Sequence, residues 1–501
     1  RALEWLQKNR QSRFFLWAHY FDPHAPYDPP EPYKQTYVRD AYSGEIAYTD
    51  EQVGRLLDGI ESMGIASRTL VAVFGDHGES LGEHGEMTHG VFLYESTLHV
   101  PFILAGPGVP RGKAIREQVR SIDVLPTLLA FLNLPPVPEV QGVSLWPLIG
   151  QGTPVNASYS YSETLYPLTY MGWSALAAMR TDKWKLIVAP RPELYDLETD
   201  PVESQNLISK YPAEADQLRE RISGLEKGRK ERVAPSPTDA KTRRQLESLG
   251  YMSGGTLRHI RPGPDPKDRV DVLNLLTRAE DLLNSKQYGR AARLMEEGLR
   301  LDPTNPRCHL SLAMAYEQMG QYKHAIQVFQ HALERKVETD KIYSRLGIDY
   351  LHLGQFDKAV EALAQASQIN PTDLHNLRNL GMAYLQLGRV DDAERVFKAI
   401  TAQNDHYAAA HNGLGLVAIQ REDAESAGRE FERAVEVDPN EVKSLLDLGI
   451  LHQNTGNKEQ ALHYLEMFIS KAPPGQFTQQ IPAVRATIRG LKADNRRTAE
   501  R

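Results

Sequence analysis

The stretch from Leu70 to Glu79 reads LVAVFGDHGE, in which five apolar residues run directly into a turn that carries an acid and a histidine. A short apolar run bounded by glycine is typical of a buried strand. In α/β folds, side chains that bind ligands follow the carboxyl ends of strands. Aspartate oxygens and imidazole nitrogens both coordinate divalent cations. The stretch therefore predicts an α/β domain with Asp76 and His77 as candidate metal ligands.

A simple turn is the alternative interpretation of Asp76 and the residues after it, because aspartate caps backbone amides and glycine accepts a positive φ. The composition of the next residues favours a site instead. Histidines, glutamates and glycines are concentrated there, as is typical of metal and phosphoryl sites. They are His77, His84, His89, His99, Glu79, Glu83, Glu86, Glu95, Gly78, Gly82, Gly85 and Gly90.

A second candidate segment lies upstream, where Phe14–Ala18 is predicted to be another buried strand. The proline-rich loop after it contains His24 between Pro23 and Pro26. Prolines restrict the backbone and hold neighbouring side chains in fixed directions. His24 is therefore a candidate general acid or anion ligand, although a histidine that only packs or bonds to a carbonyl is the alternative.

Six segments in a fixed order resemble the sulfatases of the alkaline phosphatase superfamily. They are DPHAPY at 22–27, GDHGESLGEHGE at 75–86, HGVFLYESTLHVP at 89–101, DVLPTLL at 123–129, GVSLWPL at 142–148 and ELYDL at 193–197. So many ordered segments make chance agreement improbable. The resemblance covers residues 1–207 and implies the C-terminal part of an alkaline-phosphatase-like α/β sulfatase domain.

The resemblance also implies roles for individual residues. Asp76 and His77 match ligands of a divalent metal ion, which could be Ca, Mg, Mn or Zn. His24 matches the histidine that contacts the sulfuryl or phosphoryl oxygens. His89 falls near the lysine or histidine that contacts the same group, with a spacing to Tyr94 that differs by one residue from that of lysine-bearing sulfatases. A cation and an imidazolium would stabilise the charge that develops on the transferred group.

The nucleophile of this superfamily comes from the amino-terminal part of the domain, whereas this chain opens at Arg1, close to the His24 loop. The only cysteine is Cys308, far downstream, so it is not expected to be the formylglycine precursor of typical sulfatases. We therefore expect the chain to be a fragment that lacks the nucleophile and the early metal ligands. By itself it is expected to be inactive.

The second half of the chain is self-similar with a period of 34 residues. Alanines recur at this spacing, at Ala291, Ala325, Ala359, Ala393, Ala427 and Ala461. This period predicts an all-α tetratricopeptide solenoid, with six repeats over 271–475 and a capping helix and tail over 476–501. Residues 208–270 are predicted to be a semi-rigid, helical and proline-containing linker. The concave face of the solenoid is a candidate site for a protein or peptide.

Composition limits the remaining function classes. The net charge of −7 argues against nonspecific nucleic-acid binding. The sequence contains no apolar run of the about 18 residues that a transmembrane segment needs. The compartment stays open, and an exported or membrane-anchored bacterial protein is compatible with the sequence.

Hydrolysis of sulfate esters by the full-length protein, with the repeats binding a partner, is the functional hypothesis that the resemblance favours. Hydrolysis of phosphate or phosphonate esters is one alternative. A catalytically dead scaffold that acts through its repeats is the other.

Overall fold

The chain folds into two compact units, as seen in a computed structural model that describes residues 1–155, 159–227, 263–473 and 475–499. The first unit holds the described residues up to 227 together with 263–285. The second unit holds the described residues from 286 onward.

The first unit combines helices with two small sheets. Its α-helices are Ala2–Asn9, Tyr33–Thr36, Ala41–Ser62, Glu95–Leu98, Val124–Phe131, Trp146–Gln151, Tyr166–Met171, Pro212–Lys227 and Val270–Asn284, and its 3-10 helices are Ala66–Arg68, Glu83–Gly85, Ser121–Asp123 and Pro266–Arg269. Its strands are β1 Val71–Phe74, β2 Phe102–Ala105, β3 Ser160–Thr164, β4 Leu176–Arg180, β5 Trp184–Val188 and β6 Glu193–Asp196. Strands β1 and β2 pair antiparallel, with Val71 opposite Ala105. Strands β3 to β6 form an antiparallel meander in chain order.

The predicted strand before Gly75 is confirmed as β1, but its burial is not. Val73 and Phe74 at its end are 36% and 45% exposed. The second predicted strand, Phe14–Ala18, is wrong, because among the described residues neither sheet includes it. Phe15 and Trp17 are 81% and 75% exposed there. An apolar run becomes a buried strand only where other strands pair with it and a second layer covers it.

The core of the meander lies between its sheet and the helix Pro212–Lys227. Met179, Leu186 and Leu194 of the sheet pack with three residues of that helix, which are Ala215, Leu218 and Ile222. The alternation of the strands and the spacing of the helix place these apolar side chains on facing surfaces.

The second unit is a run of helices, as the period predicts. They are Tyr288–Leu301, Pro306–Gln318, Tyr322–Glu334, Asp340–His352, Phe356–Ile369, Leu374–Gln386, Val390–Gln403, Ala408–Gln420, Ala424–Val437, Val442–Asn454, Lys458–Lys471 and Gln480–Ala499. Glycines that recur every 34 residues allow neighbouring helices to pack closely. A Cβ on Gly415, for example, would lie 2.4 Å from the ring of Phe431. The fold class, a partial α/β region followed by an all-α repeat region, is confirmed.

The linker prediction for 208–270 is corrected at the second of its two described ends. Helix begins only at Pro212, and residues 228–262 lie outside the described part of the chain. Residues 263–270 are no tether, because Asp265 is only 3% exposed and bonds to the first unit. The helix Val270–Asn284 also belongs to that unit. The predicted limits of the six repeats stay a prediction.

No helix among the described residues is both long and apolar enough to cross a membrane.

Candidate functional site

Three histidines from separate segments meet in the first unit. The ring of His89 stacks on that of His77, with centroids 3.9 Å apart. The ring of His24 meets His89 edge-on at 5.2 Å. Phe21 stacks on His24 at 4.3 Å, which fixes the plane of that ring. The fold thus brings together residues that lie up to 65 positions apart in the sequence.

All three imidazoles use the Nδ1 atom to bond an oxygen. The Nδ1 atoms of His24 and His77 lie 2.6 Å and 2.9 Å from the carbonyl oxygens of Ala25 and Gly78. The Nδ1 atom of His89 lies 3.1 Å from a carboxylate oxygen of Glu79. Because these oxygens can only accept, each Nδ1 carries the hydrogen. In all three rings Nε2 is therefore the atom left for a ligand or a substrate.

Asp76 lies beside this group, at the end of β1. Its Oδ1 atom is 3.9 Å from Nε2 of His77, and their side chains are 53% and 31% exposed. Two ligand atoms at this separation can both reach one cation at ordinary coordination distances. Asp76 and His77 thus fit as part of a metal site. Within the described ranges no group of three or more His, Cys, Asp or Glu residues could hold a metal ion.

The His24 loop is anchored by Glu45, on the helix Ala41–Ser62. Its two carboxylate oxygens accept the backbone N–H groups of His24, at 3.0 Å, and of Asp28, at 2.6 Å. Burial raises the pKa of Glu45, and these two hydrogen bonds oppose that rise. The backbone of His24 is therefore held in place by the buried carboxylate of Glu45.

The backbone around His89 is held by Glu86, which is 1% exposed. Its carboxylate accepts the N–H groups of Val91, at 2.8 Å, and Phe92, at 3.1 Å. Burial raises the pKa of Glu86 to about 7. Thr164 donates its hydroxyl to the carbonyl of Gly90 at 2.5 Å.

Glu79 and Tyr27 complete the interior of the site. The side chain of Glu79 is only 4% exposed. Burial, and after it the charge of Glu79, raise the pKa of Tyr27. The ring of Tyr27 meets that of Tyr42 edge-on at 5.4 Å.

Two other histidines of the cluster do not join the three. His84 stacks on Tyr94 at 3.5 Å, and burial lowers its pKa. His99 is exposed after the short helix Glu95–Leu98. Glu45, by contrast, was not among the candidates, because nothing in the sequence connects it with a loop 21 positions away. Glu79 was already among the residues of the cluster that the sequence singled out, but its bond to His89 was not predicted.

A cavity of about 400 Å³ opens in the first unit, and none of the three histidines lines it. Phe21, whose ring stacks on His24, is part of its wall. Tyr20, Tyr48 and Arg55 also line it.

Comparison with known proteins identifies the two parts of the chain. Residues 1–134 match the Sulfatase family model. Residues 82–228 of this sulfatase-like unit also match the model for the C-terminal part of N-sulphoglucosamine sulphohydrolase. Tetratricopeptide repeat models match 282–346, 350–416 and 414–490. The resemblance seen in the sequence is confirmed, with a sulfatase-like region followed by tetratricopeptide repeats.

The chain is also similar to individual proteins. The choline-sulfatase of Rhizobium meliloti is 36% identical over 187 residues, which are 36% of this chain and 35% of that protein. Arylsulfatase K of Gallus gallus is 28% identical over 35% of this chain and 34% of that protein. A tetratricopeptide repeat protein of Parabacteroides merdae of known structure is 20% identical, with a TM-score of 0.40, over 46% of this chain and 90% of that chain. The chain spans about a third of the length of these two sulfatases.

Proposed function

We propose that the sulfatase-like unit contributes a metal-dependent site that hydrolyses sulfate esters in the full-length protein. The observation that carries this proposal is the arrangement of His24, His77 and His89, in which each ring bonds an oxygen through Nδ1 and leaves Nε2 for a ligand or a substrate. Asp76 adds a hard oxygen ligand next to His77. The similarity to sulfatases supplies the reaction class.

The imidazoles would act on the transferred group. A sulfuryl group in transfer spreads negative charge over its oxygens, and donors fixed in advance stabilise that charge best. The backbones of His24 and His89 are held in place, and Nδ1 of each ring bonds an oxygen. In the protonated form of each ring, Nε2 also carries a hydrogen and can donate it to these oxygens. When protonated, either ring can also give its proton to the departing alkoxide.

Asp76 and His77 are the residues that would hold a divalent cation, whether Ca, Mg, Mn or Zn. Such a cation supplies positive charge to the transferred oxygens and lowers the pKa of the attacking group.

Phosphate or phosphonate esters are the alternative substrates within the same superfamily. The two classes differ in the charge of the transferred group, so the surrounding cations decide between them. The experiment must therefore offer both kinds of ester.

The repeat unit is proposed to bind a protein or peptide partner. Tetratricopeptide repeats stack into curved surfaces with a concave face, and such faces bind extended or helical peptides. Matches to repeat models over 282–490 support this assignment.

The test compares hydrolysis of an aryl sulfate and an aryl phosphate by the full-length protein, with and without a chelator. Asp76→Ala is the test variant, and Asp58→Ala, at an exposed position of the helix Ala41–Ser62, is the matched control. We expect chelation and Asp76→Ala to lower sulfate hydrolysis by at least about 100-fold, while the control is unchanged.

Three outcomes would count against the proposal. Full activity of Asp76→Ala would overturn the metal assignment. Preference for the phosphate would favour the alternative substrate class. Hydrolysis of neither ester by the full-length protein would leave a scaffold that acts through its repeats.

A further inference from the structure

A short segment that comes after the linker folds back onto the sulfatase-like unit. It runs from Gly263 to Val270, and we name it the returning segment. All the contacts described below lie within the first unit.

The start of the returning segment is bound to the backbone near Ser174. The N–H of Ser174 donates to the carbonyl of Pro264 at 2.9 Å, and its hydroxyl donates to the carbonyl of Gly263 at 2.6 Å. A Cβ on Gly263 would lie 2.1 Å from the carbonyl oxygen of Gly172. Only glycine allows the two backbones to approach this closely.

The middle of the segment is bound to the loop between β5 and β6. The N–H of Arg191 donates to the carboxylate of Asp265 at 2.9 Å. Lys267 donates from Nζ to the carbonyl of Arg191 at 2.6 Å. The same Nζ lies 3.2 Å from the carboxylate of Glu193 and 3.5 Å from that of Asp265. The Lys267 side chain is 17% exposed, so these ion pairs are shielded from water more than surface pairs are.

Glu193 connects Lys267 to the loop that precedes His89. Tyr94 donates its hydroxyl to Glu193 at 3.2 Å. The ring of Tyr94 is stacked on that of His84, with centroids 3.5 Å apart and planes inclined by 12°. Lys267 therefore holds Glu193 in place, and Glu193 orients the ring of Tyr94. The Tyr94 ring in turn packs against His84 of the Gly82–Glu86 loop.

The end of the segment touches this loop directly. A Cβ on Gly85 would lie 2.5 Å from Cγ1 of Val270, so the valine packs against the backbone of Gly85. The next residue is Glu86, whose carboxylate holds the N–H groups of Val91 and Phe92. His89 lies between Glu86 and these two residues in the chain.

The loop needs such support because its backbone is strained. Gly82 and Gly85 have φ of 118° and 85°, and His84 has φ of 53°. A residue other than glycine adopts a positive φ only where its surroundings hold it there. In this loop, Tyr94 on one side and Val270 on the other are surroundings of that kind.

We propose that Lys267 and Val270 are positioning residues for His89. They hold the Gly82–Glu86 loop from outside the loop, and through Glu86 they keep the His89 ring stacked on His77 and bonded to Glu79. The returning segment is then a part of the site although it follows the linker. Its consequence for catalysis rests on the proposed function, whereas its effect on the position of His89 does not.

The test measures how fast diethyl pyrocarbonate modifies each histidine of the chain, with peptide mapping by mass spectrometry. Lys267→Gln removes the cation, Lys267→Arg retains it, and Val270→Ala removes the packing against Gly85. Lys8→Gln, at an exposed position of the helix Ala2–Asn9, is the matched control. His309 and His411, which are 1% and 6% exposed, report loss of structure in the repeat unit. Tryptophan fluorescence reports loss of structure in the first unit, which holds all five tryptophans.

We expect Lys267→Gln and Val270→Ala to increase the rate at His89 by at least about threefold, since a loosened loop exposes the ring more often. Lys267→Arg should restore the original rate, and Lys8→Gln should not change it. The rates at His309 and His411 should stay the same in every variant.

An unchanged rate at His89 in both Lys267→Gln and Val270→Ala would overturn the proposal. If Lys267→Gln increases the rate at every histidine, the variant has unfolded and Val270→Ala decides. A faster reaction of His89 alone in Val270→Ala then supports the proposal, and an unchanged rate there overturns it. None of these outcomes depends on ester hydrolysis, so this inference can fail while the proposed function stands.

Discussion

The buried carboxylate of Glu79 lies 3.1 Å from Nδ1 of His89, and this contact decides which nitrogen of His89 carries the hydrogen. The carboxylate can only accept, so Nδ1 must donate. Partners of this kind orient imidazoles in many metal and catalytic sites. The contact links the motif at the end of β1 to a histidine ten positions later.

Replacing Glu79 by glutamine should therefore weaken the site without changing its shape. Glutamine can present either an acceptor or a donor to His89, so the ring is no longer held in one tautomer. We expect Glu79→Gln to lower kcat/KM of the full-length protein for a sulfate ester by about 10- to 100-fold. Glu61→Gln, at an exposed position of the helix Ala41–Ser62, should leave it unchanged. Equal activity of the two variants would contradict the role of Glu79.

Lys185 is predicted to be essential for the stability of the sulfatase-like unit. It is fully buried, and its Nζ lies 3.1 Å from Glu95 and 2.8 Å from Glu203. Removing one partner of a buried ion pair leaves an uncompensated charge. We expect Lys185→Met to lower the free energy of unfolding by about 3–5 kcal/mol.

Urea unfolding followed by tryptophan fluorescence measures this effect, because all five tryptophans lie at or before position 184 and so report only on the first unit. Lys183→Met is the control, since Lys183 is 46% exposed and its ion pairs are 3.7 Å long. Lys183→Met should lower the free energy of unfolding by less than about 1 kcal/mol. Similar losses in the two variants would show that the buried pairs contribute little.

Asp349 should make the repeat unit less stable as the pH rises. It is fully buried, and no hydrogen bond from the described part of the chain reaches either of its carboxylate oxygens. Burial, and after it the charge of Glu317, raise its pKa from 3.8 to about 8, while Arg345 opposes this. The folded state therefore binds a proton that the unfolded state releases between these two values. The contribution of Asp349 is most favourable below pH 3.8 and is lost as the pH rises towards 8.

Asp349→Ala should remove this pH dependence. The equivalent positions 34 residues before and after it are Ala315 and Ala383, so alanine fits the packing of the repeat. We expect the variant to raise the free energy of unfolding of the repeat unit at pH 8 by about 1–3 kcal/mol, and by less at pH 5. Far-ultraviolet circular dichroism during urea unfolding measures this change in the free energy of unfolding. Glu361→Ala, an exposed position in the helix Phe356–Ile369, is the control, and an equal gain there would contradict the assignment.

Gly413 should tolerate no side chain. A Cβ there would lie 2.3 Å from the ring of Phe397, which is fully buried. Overpacking of this kind costs about 1–3 kcal/mol, so Gly413→Ala should destabilise the repeat unit. At Gly490 nothing lies within 4 Å of an added Cβ, and Gly490→Ala should stabilise its helix by about 0.5–1 kcal/mol. Thermal unfolding should show a lower Tm for Gly413→Ala and a higher Tm for Gly490→Ala. An unchanged Tm for Gly413→Ala would show that Phe397 can move.

The sequence was most informative where structure is local. The 34-residue period predicted the run of helices, because each repeat packs mainly on its neighbours in the chain. The run Leu70–Phe74 predicted β1, and the motif after it placed Asp76 and His77 at the end of a strand. The same reasoning failed for Phe14–Ala18, because hydrophobicity alone does not say whether another strand will pair with that run.

Contacts between distant residues could not be predicted from the pattern. Glu45 holds the backbone of His24, which lies 21 positions earlier in the sequence. Lys185 contacts Glu95, which lies 90 positions earlier. Acids and lysines are common on surfaces, so the sequence gives no reason to place these particular ones in the interior. The roles of His24, His89, Asp76 and His77 as site residues stay predictions, although the fold brings all four together.

By itself, the sequence determined the two fold classes, the order in which they occur and the short motifs in which Asp76, His77, His24 and His89 lie. These follow from periodicity and from turn chemistry, which act over a few residues. The tertiary structure alone decided that the three imidazoles meet, that buried acids hold their loops, and that the returning segment packs against the Gly82–Glu86 loop. Such contacts depend on how separate segments fill the same space, and local sequence preference carries no information about that.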